Sequence, residues 1–335
     1  MADLSTLLIF HLHHICKDVQ EIILDKAYGK EILSANDICH ILGVEDIDEI
    51  FKIREENPRF GEILFKSVKK LYFSKSKLPE KKLLKLISFF PKLESLDLSY
   101  TNVADVSTLG GVHDLNLYGC YNVIDVSTLG NVHTIYLSFC TNITDVSSLG
   151  NVHTLNLRGC NITDVSSLTG VHTLDLSYCT NIIDVSSLGG VYEVDLSHCI
   201  NITDVSTLGN VHSMNLTRSI NVTDVSTLGN VHNLNLGGCQ NVTDVSALGG
   251  VHTLNFGQCI NITDVSSITG VHTLDLSFCT NIIDVSSLGN DHTLNLSYTK
   301  VADVSCLTGV HTLDLRHCTN IEDVSTLGGV HTLTL

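Results

Sequence analysis

The sequence predicts an α/β solenoid, a right-handed superhelix with one parallel β-sheet and short 3₁₀ or loop segments on its convex side. Three observations predict it. A 20-residue unit recurs between residues 93 and 335 of this 335-residue chain, part of each unit alternates apolar and polar residues, and Gly or Asn recurs where each unit ends. A chain built in this way does not divide into two or three ordinary globular domains.

The repeat is anchored on the tripeptide Asp-Val-Ser, which occurs twelve times. Aligned on it, each unit reads VHTLNLSxCxNITDVSSLGN, and its residues are numbered as repeat positions 1 to 20. Positions 3 to 7 alternate and predict a half-buried strand, while positions 1, 9, 12, 15 and 18 are apolar and predict a core. One unit buries too little apolar surface to fold alone, so identical positions must stack about 4.8 Å apart in one parallel sheet.

The strand frame LxxLxLxxCxxITD, carried for example by Leu274, Leu276 and Cys279, resembles the leucine-rich repeat in its cysteine-containing form. The segment ITDVSSLGN is similar to the convex part of internalin-type repeats, where a brief 3₁₀ turn replaces a helix. The resemblance covers residues 93–335 and implies a repeat protein that binds partners. The unit also resembles repeat proteins of large DNA viruses of amoebae, which implies the cytoplasm of an infected host.

Three segments are predicted. Residues 1–67 form a helical N-terminal domain, residues 68–92 a longer, helix-bearing first repeat, and residues 93–335 an array of 12 repeats of 19 to 20 residues with a partial terminal strand. Asn36 is expected to cap a helix. The array ends on HTLTL without a polar capping repeat. We expect a second copy or a partner to cover this end; the alternative is that the short terminal strand is soluble without a cover. Helical patterns cover residues 5–16, 18–27, 35–43, 46–56 and 59–67.

Residues 31–67, followed at once by the first strand, are similar in layout to an F-box joined to leucine-rich repeats. This resemblance implies that a Skp-type adaptor binds residues 31–67 of a ubiquitin-ligase substrate receptor. The Leu-Pro opening and the later Trp typical of F-boxes are missing. The apolar side chains that would divide between a small core and the adaptor-binding face are Ile38, Ile41, Leu42, Ile47, Ile50 and Phe51.

The net charge of −17 is unevenly distributed along the chain. Residues 1–92 carry 15 basic and 14 acidic side chains, whereas residues 93–335 carry 4 and 22. An acidic array repels phosphate, so we expect no nucleic acid partner. No apolar run reaches the length of a membrane span and the first residues lack a basic leader, so the sequence predicts a soluble, cytoplasmic protein without a membrane partner.

Two residue types recur in columns with structural roles. The twelve Asp residues of Asp-Val-Ser are expected to cap the convex turns by accepting backbone N–H groups. A Ca²⁺ ladder is not expected, because the Gly-rich oxygen cages that it needs are absent from the sequence. Nine of the 12 Cys share repeat position 9, which indicates a small, buried packing position in a reduced protein.

Histidine recurs at repeat position 2, where the side chains should form a column near one edge of the sheet. We expect a structural ladder; a pH-sensitive element is the alternative, because neighbouring charged imidazoles repel one another. The column lacks the convergent third ligand that Zn²⁺ prefers, so neither a metal nor a cofactor is expected. The histidines are His113, His133, His153, His172, His212, His232, His252, His272, His292, His311 and His331, and Tyr192 interrupts them.

Variation concentrates at repeat positions 7 and 8, which we expect on the concave face of the sheet. Aromatic residues and Arg, which anchor protein interfaces, are frequent there. Position 5 holds Asn or Asp in most repeats, and this acidic floor favours a partner with a basic surface. Neutral drift after recent duplication is the alternative interpretation. The predicted partner-binding residues are Tyr100, Tyr118, Phe139, Arg158, Tyr178, His198, Arg218, Gln258, Phe278, Tyr298, Arg316 and His317.

Every candidate catalytic group recurs about a dozen times in equivalent surroundings, which argues against an active site. We therefore predict a non-catalytic scaffold that binds a protein partner on its concave face. An F-box-like substrate receptor is the alternative function. Self-assembly through the terminal strand is a further one.

Overall fold

Fourteen parallel strands form one sheet in the order in which they occur along the chain. The computed structural model describes residues 33–42, 45–58 and 62–335, so the helical patterns over 5–16 and 18–27 lie outside the described residues. The strands are β1 (Lys70–Tyr72), β2 (Ser95–Asp97), β3 (Asp114–Asn116), β4 (Thr134–Tyr136), β5 (Thr154–Asn156), β6 (Thr173–Asp175), β7 (Glu193–Asp195), β8 (Ser213–Asn215), β9 (Asn233–Asn235), β10 (Thr253–Asn255), β11 (Thr273–Asp275), β12 (Thr293–Asn295), β13 (Thr312–Asp314) and β14 (Thr332–Thr334).

The strands of the array pair in register, so each residue lies beside the same repeat position of the next strand. Leu254 of β10 lies between Leu234 of β9 and Leu274 of β11, for example. Equivalent side chains therefore stack in columns along the whole array, as the repeat predicts. The α/β solenoid is confirmed.

The strands are shorter than predicted, because they cover repeat positions 3 to 5 instead of 3 to 7. The inter-strand hydrogen bonds nevertheless continue past them. The amide of Leu98 donates to the carbonyl of Asn116 and that of Tyr100 to the carbonyl of Tyr118, both at 2.8 Å. The strand conformation ends because the chain turns at position 8, where the backbone has positive φ.

One continuous apolar core lies between the sheet and the convex segments. In the repeat that runs from Val132 to Leu149, all seven apolar positions have at most 1% of their surface exposed. Since each buried side chain of this size contributes roughly 1.5–3 kcal/mol relative to an exposed one, the stacked repeats share the stabilisation that a single unit lacks.

The convex side consists of 3₁₀ helices and turns, as predicted. In each repeat the Asp of Asp-Val-Ser accepts the amide of the Ser two residues later at 2.8–2.9 Å, as Asp145 does from Ser147. This bond holds the pKa of the Asp145 carboxyl below its usual range. Neighbouring convex segments approach closely, since a β-carbon on Gly150 would lie 2.2 Å from the carbonyl oxygen of Ser167. The 3₁₀ helices are Ser147–Leu149, Leu168–Gly170, Ser186–Gly190, Ser206–Leu208, Leu228–Asn230, Ser246–Gly250, Ser305–Gly309 and Ser325–Gly329.

The described residues contain four α-helices, α1 (Ala35–Leu42), α2 (Ile47–Glu56), α3 (Glu62–Ser67) and α4 (Glu80–Ile87). Helix α4 follows β1 and lies within residues 68–92. None of the four is long and apolar enough to cross a membrane.

The helices close the first end of the solenoid. Leu33 pairs with Leu71 of β1, and its carbonyl accepts the amide of Tyr72 at 2.8 Å, which covers the edge of the sheet. Phe65 of α3 packs edge-on against Phe90, with ring centroids 5.0 Å apart. The apolar end of the core is therefore shielded by α1 to α4.

Helix α1 begins at Ala35, two residues before the start that a cap at Asn36 implies. The hydroxyl of Ser34 accepts the amide of Asp37 at 3.3 Å, and the Asp37 carboxylate accepts the amide of Ser34 at 2.9 Å. This reciprocal pair satisfies two amides that a helix start leaves unpaired. The prediction for Asn36 was therefore wrong, and Asn36 lies inside the helix.

Asp291 is the only Asp or Glu among the buried side chains of the described residues. It stands at repeat position 1, between Val271 and Val310, and its side chain is fully buried. Neither carboxylate oxygen accepts a hydrogen bond within the described part of the chain. Burial raises the pKa of this carboxyl to about 7. The charged form is thus strongly disfavoured in the folded state.

We expect Asp291→Val to stabilise the protein at pH 7. The folded pKa lies about 3 units above the unfolded value of 3.8, and each unit corresponds to about 1.4 kcal/mol, so the upper bound of the gain is about 4 kcal/mol. The destabilisation that comes from ionising Asp291 is absent when the pH is below the pKa of this carboxyl in the unfolded chain. It grows as the pH rises, until the pH passes the pKa in the folded state. Calorimetry of both proteins from pH 4 to pH 8 measures this.

Asp291→Asn is the matched control, because an amide keeps the shape and polarity but does not titrate. Its melting temperature should differ from that of the wild type by an amount that increases between pH 4 and pH 7. A constant difference for both variants across this range would show that Asp291 is already charged in the fold.

Candidate functional site

The solvent-facing side of the sheet carries a floor of polar residues at repeat position 5. Its members on β2 to β13 are Asp97, Asn116, Tyr136, Asn156, Asp175, Asp195, Asn215, Asn235, Asn255, Asp275, Asn295 and Asp314. The twelve predicted partner-binding residues lie along one side of this floor and are called the ridge. The histidine column lies along the other side, at position 2.

Nine ridge residues occupy position 8 of their repeats, in a turn that follows the strand. The sequence predicted that positions 7 and 8 lie on the concave face beside a strand that ends at position 7, whereas the strands end at position 5. The amide of position 9 donates to the carbonyl of position 6, as Cys179 does to Leu176 at 3.0 Å, and this closes a four-residue turn. Position 8 is its third residue. Its amide donates to the next repeat, as Tyr178 does to the carbonyl of Ser197 at 2.9 Å.

The side chains of the floor stabilise this turn. In most repeats the side-chain oxygen of position 5 accepts the amide of position 7, for example Asp175 from Ser177 at 2.8 Å. Side-chain to backbone bonds of this kind favour a turn over a continued strand. Floor residues also bind each other, since the Asn156 amide donates to the Asp175 carboxylate at 2.8 Å.

All nine side chains at position 8 of the ridge have φ between +58° and +68°. This left-handed conformation costs a residue with a β-carbon roughly 1–2 kcal/mol, and glycine adopts it without that cost. Gly119, Gly159 and Gly238 fill the same position in the other three repeats. The nine residues are Tyr100, Phe139, Tyr178, His198, Arg218, Gln258, Phe278, Tyr298 and His317.

The ridge side chains stack on one another. The Arg158 guanidinium lies 4.3 Å from the centre of the Tyr178 ring, and Tyr178 stacks on His198 at 4.2 Å. Nearer the end of the array, Phe278 stacks on Tyr298 at 4.2 Å. Cation–π and aromatic contacts of this kind contribute roughly 0.5–1.5 kcal/mol each and partly offset the backbone strain.

Two repeats with glycine at position 8 move the large side chain to position 7. Tyr118 precedes Gly119, and its ring packs edge-on against Tyr100 at 5.0 Å. Arg158 precedes Gly159 in the same way. A β-carbon on Gly159 would lie 2.8 Å from the Phe139 ring, so the glycine makes room for the neighbouring aromatic side chain.

The ridge divides into two segments. The first runs from Tyr100 to Arg218 and the second from Gln258 to His317. Between them, Gly237 and Gly238 leave positions 7 and 8 of one repeat without a side chain. The first segment ends with the basic residues Arg158 and Arg218 on either side of Tyr178 and His198. Burial, followed by the charges of Arg218 and Arg158, lowers the pKa of His198.

Two residues depart from the predicted site. Arg316 turns back to the floor, where its guanidinium pairs with the Asp314 carboxylate at 2.6 Å instead of joining the stack. Tyr136 was missed. It stands at position 5 among Asn and Asp residues, and 42% of its surface is exposed. The sequence did contain a signal for Tyr136, because it interrupts the Asn and Asp residues at position 5.

The predicted histidine ladder is confirmed. Consecutive rings lie 4.5–4.8 Å apart, and Tyr192 continues the stack between His172 and His212. Nδ1 of each of several imidazoles, such as His252, lies 3.2–3.3 Å from the hydroxyl of the following Thr. Desolvation and the neighbouring imidazoles lower the pKa of His252.

The cysteine column is a packing feature, as predicted. The thiols at repeat position 9 donate to main-chain carbonyls of the preceding repeat at 3.0–3.2 Å. Ser219 makes the equivalent bond to Leu196 at 2.7 Å. Burial raises the pKa of the Cys179 thiol to about 12, so it is not an activated nucleophile.

Comparisons with known proteins agree with this architecture. A family model described as leucine-rich repeat matches residues 151–166. An internalin of Listeria monocytogenes has 22% identity and a TM-score of 0.54 over 74% of this chain and 82% of that chain. A leucine-rich repeat protein of Leptospira interrogans has 17% identity and a TM-score of 0.51 over 76% of this chain and 86% of that chain. No curated protein matches.

The chain has the leucine-rich repeat fold. At these identities the solved structures show its fold and nothing finer. The ridge, the floor and the ladder are built on this repeat architecture.

We expect Gly159→Ala to destabilise the leucine-rich repeat array by roughly 1–3 kcal/mol. The new β-carbon would meet the Phe139 ring and would have to adopt φ near +68°. The melting temperature measures the loss. Gly111→Ala is the matched control, because nothing lies within 4 Å of its β-carbon, and it should change stability by less than about 0.5 kcal/mol. Equal losses would contradict the packing described for the ridge.

We expect acidification from pH 7 to pH 5 to lower the melting temperature through the ladder. The lowered pKa of His252 means that the unfolded chain takes up protons first, so stability falls as the pH drops. Asp291 acts in the opposite direction over this range, and the measurement therefore uses the Asp291→Val background. His252→Tyr, which imitates Tyr192, should keep the stack and reduce the pH dependence. A melting temperature that does not change with pH would exclude a pH-sensitive ladder.

Proposed function

We propose that this leucine-rich repeat protein is a non-catalytic scaffold that binds a protein partner along its ridge and floor. The observation that carries this proposal is the backbone strain of the ridge. Nine repeats hold an aromatic, His, Arg or Gln side chain at φ near +60°, while three repeats show that glycine fits the same turn. Neutral drift at an unconstrained position would favour the unstrained residue, so the strain supports a functional surface.

The composition of the ridge supports a protein partner. Tyr and Arg are over-represented among residues that dominate binding energy. Arg158, Tyr178 and His198 lie side by side and are already stacked, and Arg218 follows at position 8 of the next repeat. Because stacking restricts these side chains before the partner arrives, little conformational entropy is lost on binding.

The floor selects the charge of the partner. Asp175 and Asp195 lie beside the central ridge segment, and the array carries 22 acidic against 4 basic side chains. A basic surface would gain Coulomb attraction over the floor and would associate faster at low salt. We therefore propose a partner with Lys or Arg side chains facing the floor, flanked by apolar groups facing the ridge.

The helical segment before the sheet supports a second role, that of a cap. Among the side chains that the F-box-like layout assigns to a core and an adaptor-binding face, Ile38, Ile47, Ile50 and Phe51 are buried and Leu42 is half-buried. The side chain of Ile41 lies outside the described residues. These contacts favour closure of the solenoid over an exposed adaptor-binding face, and recovery of a Skp-type adaptor in the capture experiment below would support the ligase alternative.

We expect Tyr178→Ala to weaken partner binding by at least about 30-fold, which corresponds to the 2 kcal/mol of an interface hot spot. The full chain serves as bait in a eukaryotic lysate, and quantitative mass spectrometry compares wild type and variant. Tyr121→Ala is the matched control, because Tyr121 is 53% exposed but lies at repeat position 10, away from the ridge. Proteins that are lost with the first variant and kept with the second are the partners. Identical recovery with both variants would contradict binding at the ridge.

A further inference from the structure

The first rung of the histidine ladder differs from the others. Generic rungs place a Thr hydroxyl beside Nδ1 of the imidazole, as in His153 and Thr154 at 3.2 Å. At the first rung the neighbour is Asp114, and its carboxylate oxygen lies 2.8 Å from Nδ1 of His113. This rung therefore has the third, anionic ligand that the rest of the column lacks.

The next rung brings a second imidazole to the same place. His133 stacks on His113 with ring centroids 4.5 Å apart. One ligand atom from each of His113, Asp114 and His133 can be chosen so that all three lie within 4.8 Å of one another. Two imidazole nitrogens and one carboxylate oxygen are the ligands of zinc sites that keep an open fourth position.

For His113 and His133 to bind the same ion, one of the two imidazole rings must tilt out of the stack. Tilted neighbouring rings already occur in the ladder. The planes of His212 and His232 are 42° apart elsewhere in the same ladder. His113 has an imidazole on one side only, because Glu94 occupies position 2 of the preceding repeat. Its side chain is 58% exposed, so the ring has room to turn.

The surroundings attract a cation. Glu94 lies one rung before His113 and adds a second carboxylate, which Lys69 holds at 2.6 Å. The backbone carbonyl of Glu94 accepts the amides of His113 and Asp114 at 2.9 and 2.8 Å, which fixes the base of both side chains. The array around them is strongly acidic, with 22 acidic against 4 basic side chains.

We propose that His113, Asp114 and His133 bind a divalent transition metal ion of the Zn²⁺ class. The donor set selects this class, because imidazole nitrogen suits Zn²⁺ and its neighbours, whereas Mg²⁺ and Ca²⁺ prefer oxygen ligands throughout. The site lies at the start of the ladder, on the opposite side of the floor from the ridge. It is therefore separate from the proposed protein-binding surface.

Isothermal titration of the full chain with Zn²⁺ alone tests the proposal, with Co²⁺ absorption as a second readout of nitrogen and oxygen ligation. We expect one Zn²⁺ to bind more tightly than any further equivalents. Asp114→Thr converts the first rung into a generic one, and we expect it to weaken this binding by roughly tenfold or more and to remove the Co²⁺ signature. Mg²⁺ should not compete.

Thr312→Asp is the matched gain-of-function variant. His311 stacks on His331 at 4.6 Å, and Nδ1 of His311 lies 3.3 Å from the Thr312 hydroxyl, so the substitution repeats the first rung at the last one. We expect a second Zn²⁺ equivalent of similar affinity. If Asp114→Thr binds Zn²⁺ as the wild type does, or if Thr312→Asp adds no equivalent, the three-residue site is wrong and the ion binds to the imidazole column as a whole.

Discussion

The in-register pairing of equivalent residues is the constraint on which the whole structure depends. Each strand contributes only three residues, and a strand of this length is not stable without neighbours. Pairing position 4 with position 4, as in Leu254 and Leu274, satisfies the backbone and buries the apolar column at the same time. The other columns of side chains follow from this pairing, because a side chain at any repeat position lies beside the equivalent side chain of the next repeat.

That constraint makes small departures informative. In an array of equivalent units, the other repeats show the usual surroundings of each repeat position. A residue that differs from the others at its position can therefore be compared directly with them. Asp291 introduces a carboxyl into an apolar column, Asp114 supplies a carboxylate to an imidazole column, and Tyr136 puts a ring among amides and carboxylates. The first lowers stability, the second supplies the carboxylate of the proposed metal site, and the third adds an aromatic ring to the surface that we propose binds a partner.

The repeat period, the columns and the capping role of the Asp residues could be predicted from the sequence, because they depend on local pattern and on spacing alone. The strand ends could not. The alternation of apolar and polar residues continues to position 7, yet the side chain at position 5 captures the amide of position 7, as Asp175 captures that of Ser177, and starts the turn. The cap of α1 could not be predicted either. The reciprocal bonds between Ser34 and Asp37 form only when the helix starts just after Ser34, and the sequence pattern allowed a start after Asn36 as well.

The sequence by itself determined the solenoid, its single parallel sheet and the identity of the candidate surface residues, since a twenty-residue period with seven apolar positions allows one way of burying them. Only the tertiary structure decided that the ridge lies in a strained turn, that Arg158 stacks on Tyr178 while Arg316 turns to Asp314, and that His133 joins His113 and Asp114. These contacts join residues of neighbouring repeats or depend on the backbone conformation of one turn. Their geometry follows from how the repeats are stacked, which no single repeat specifies.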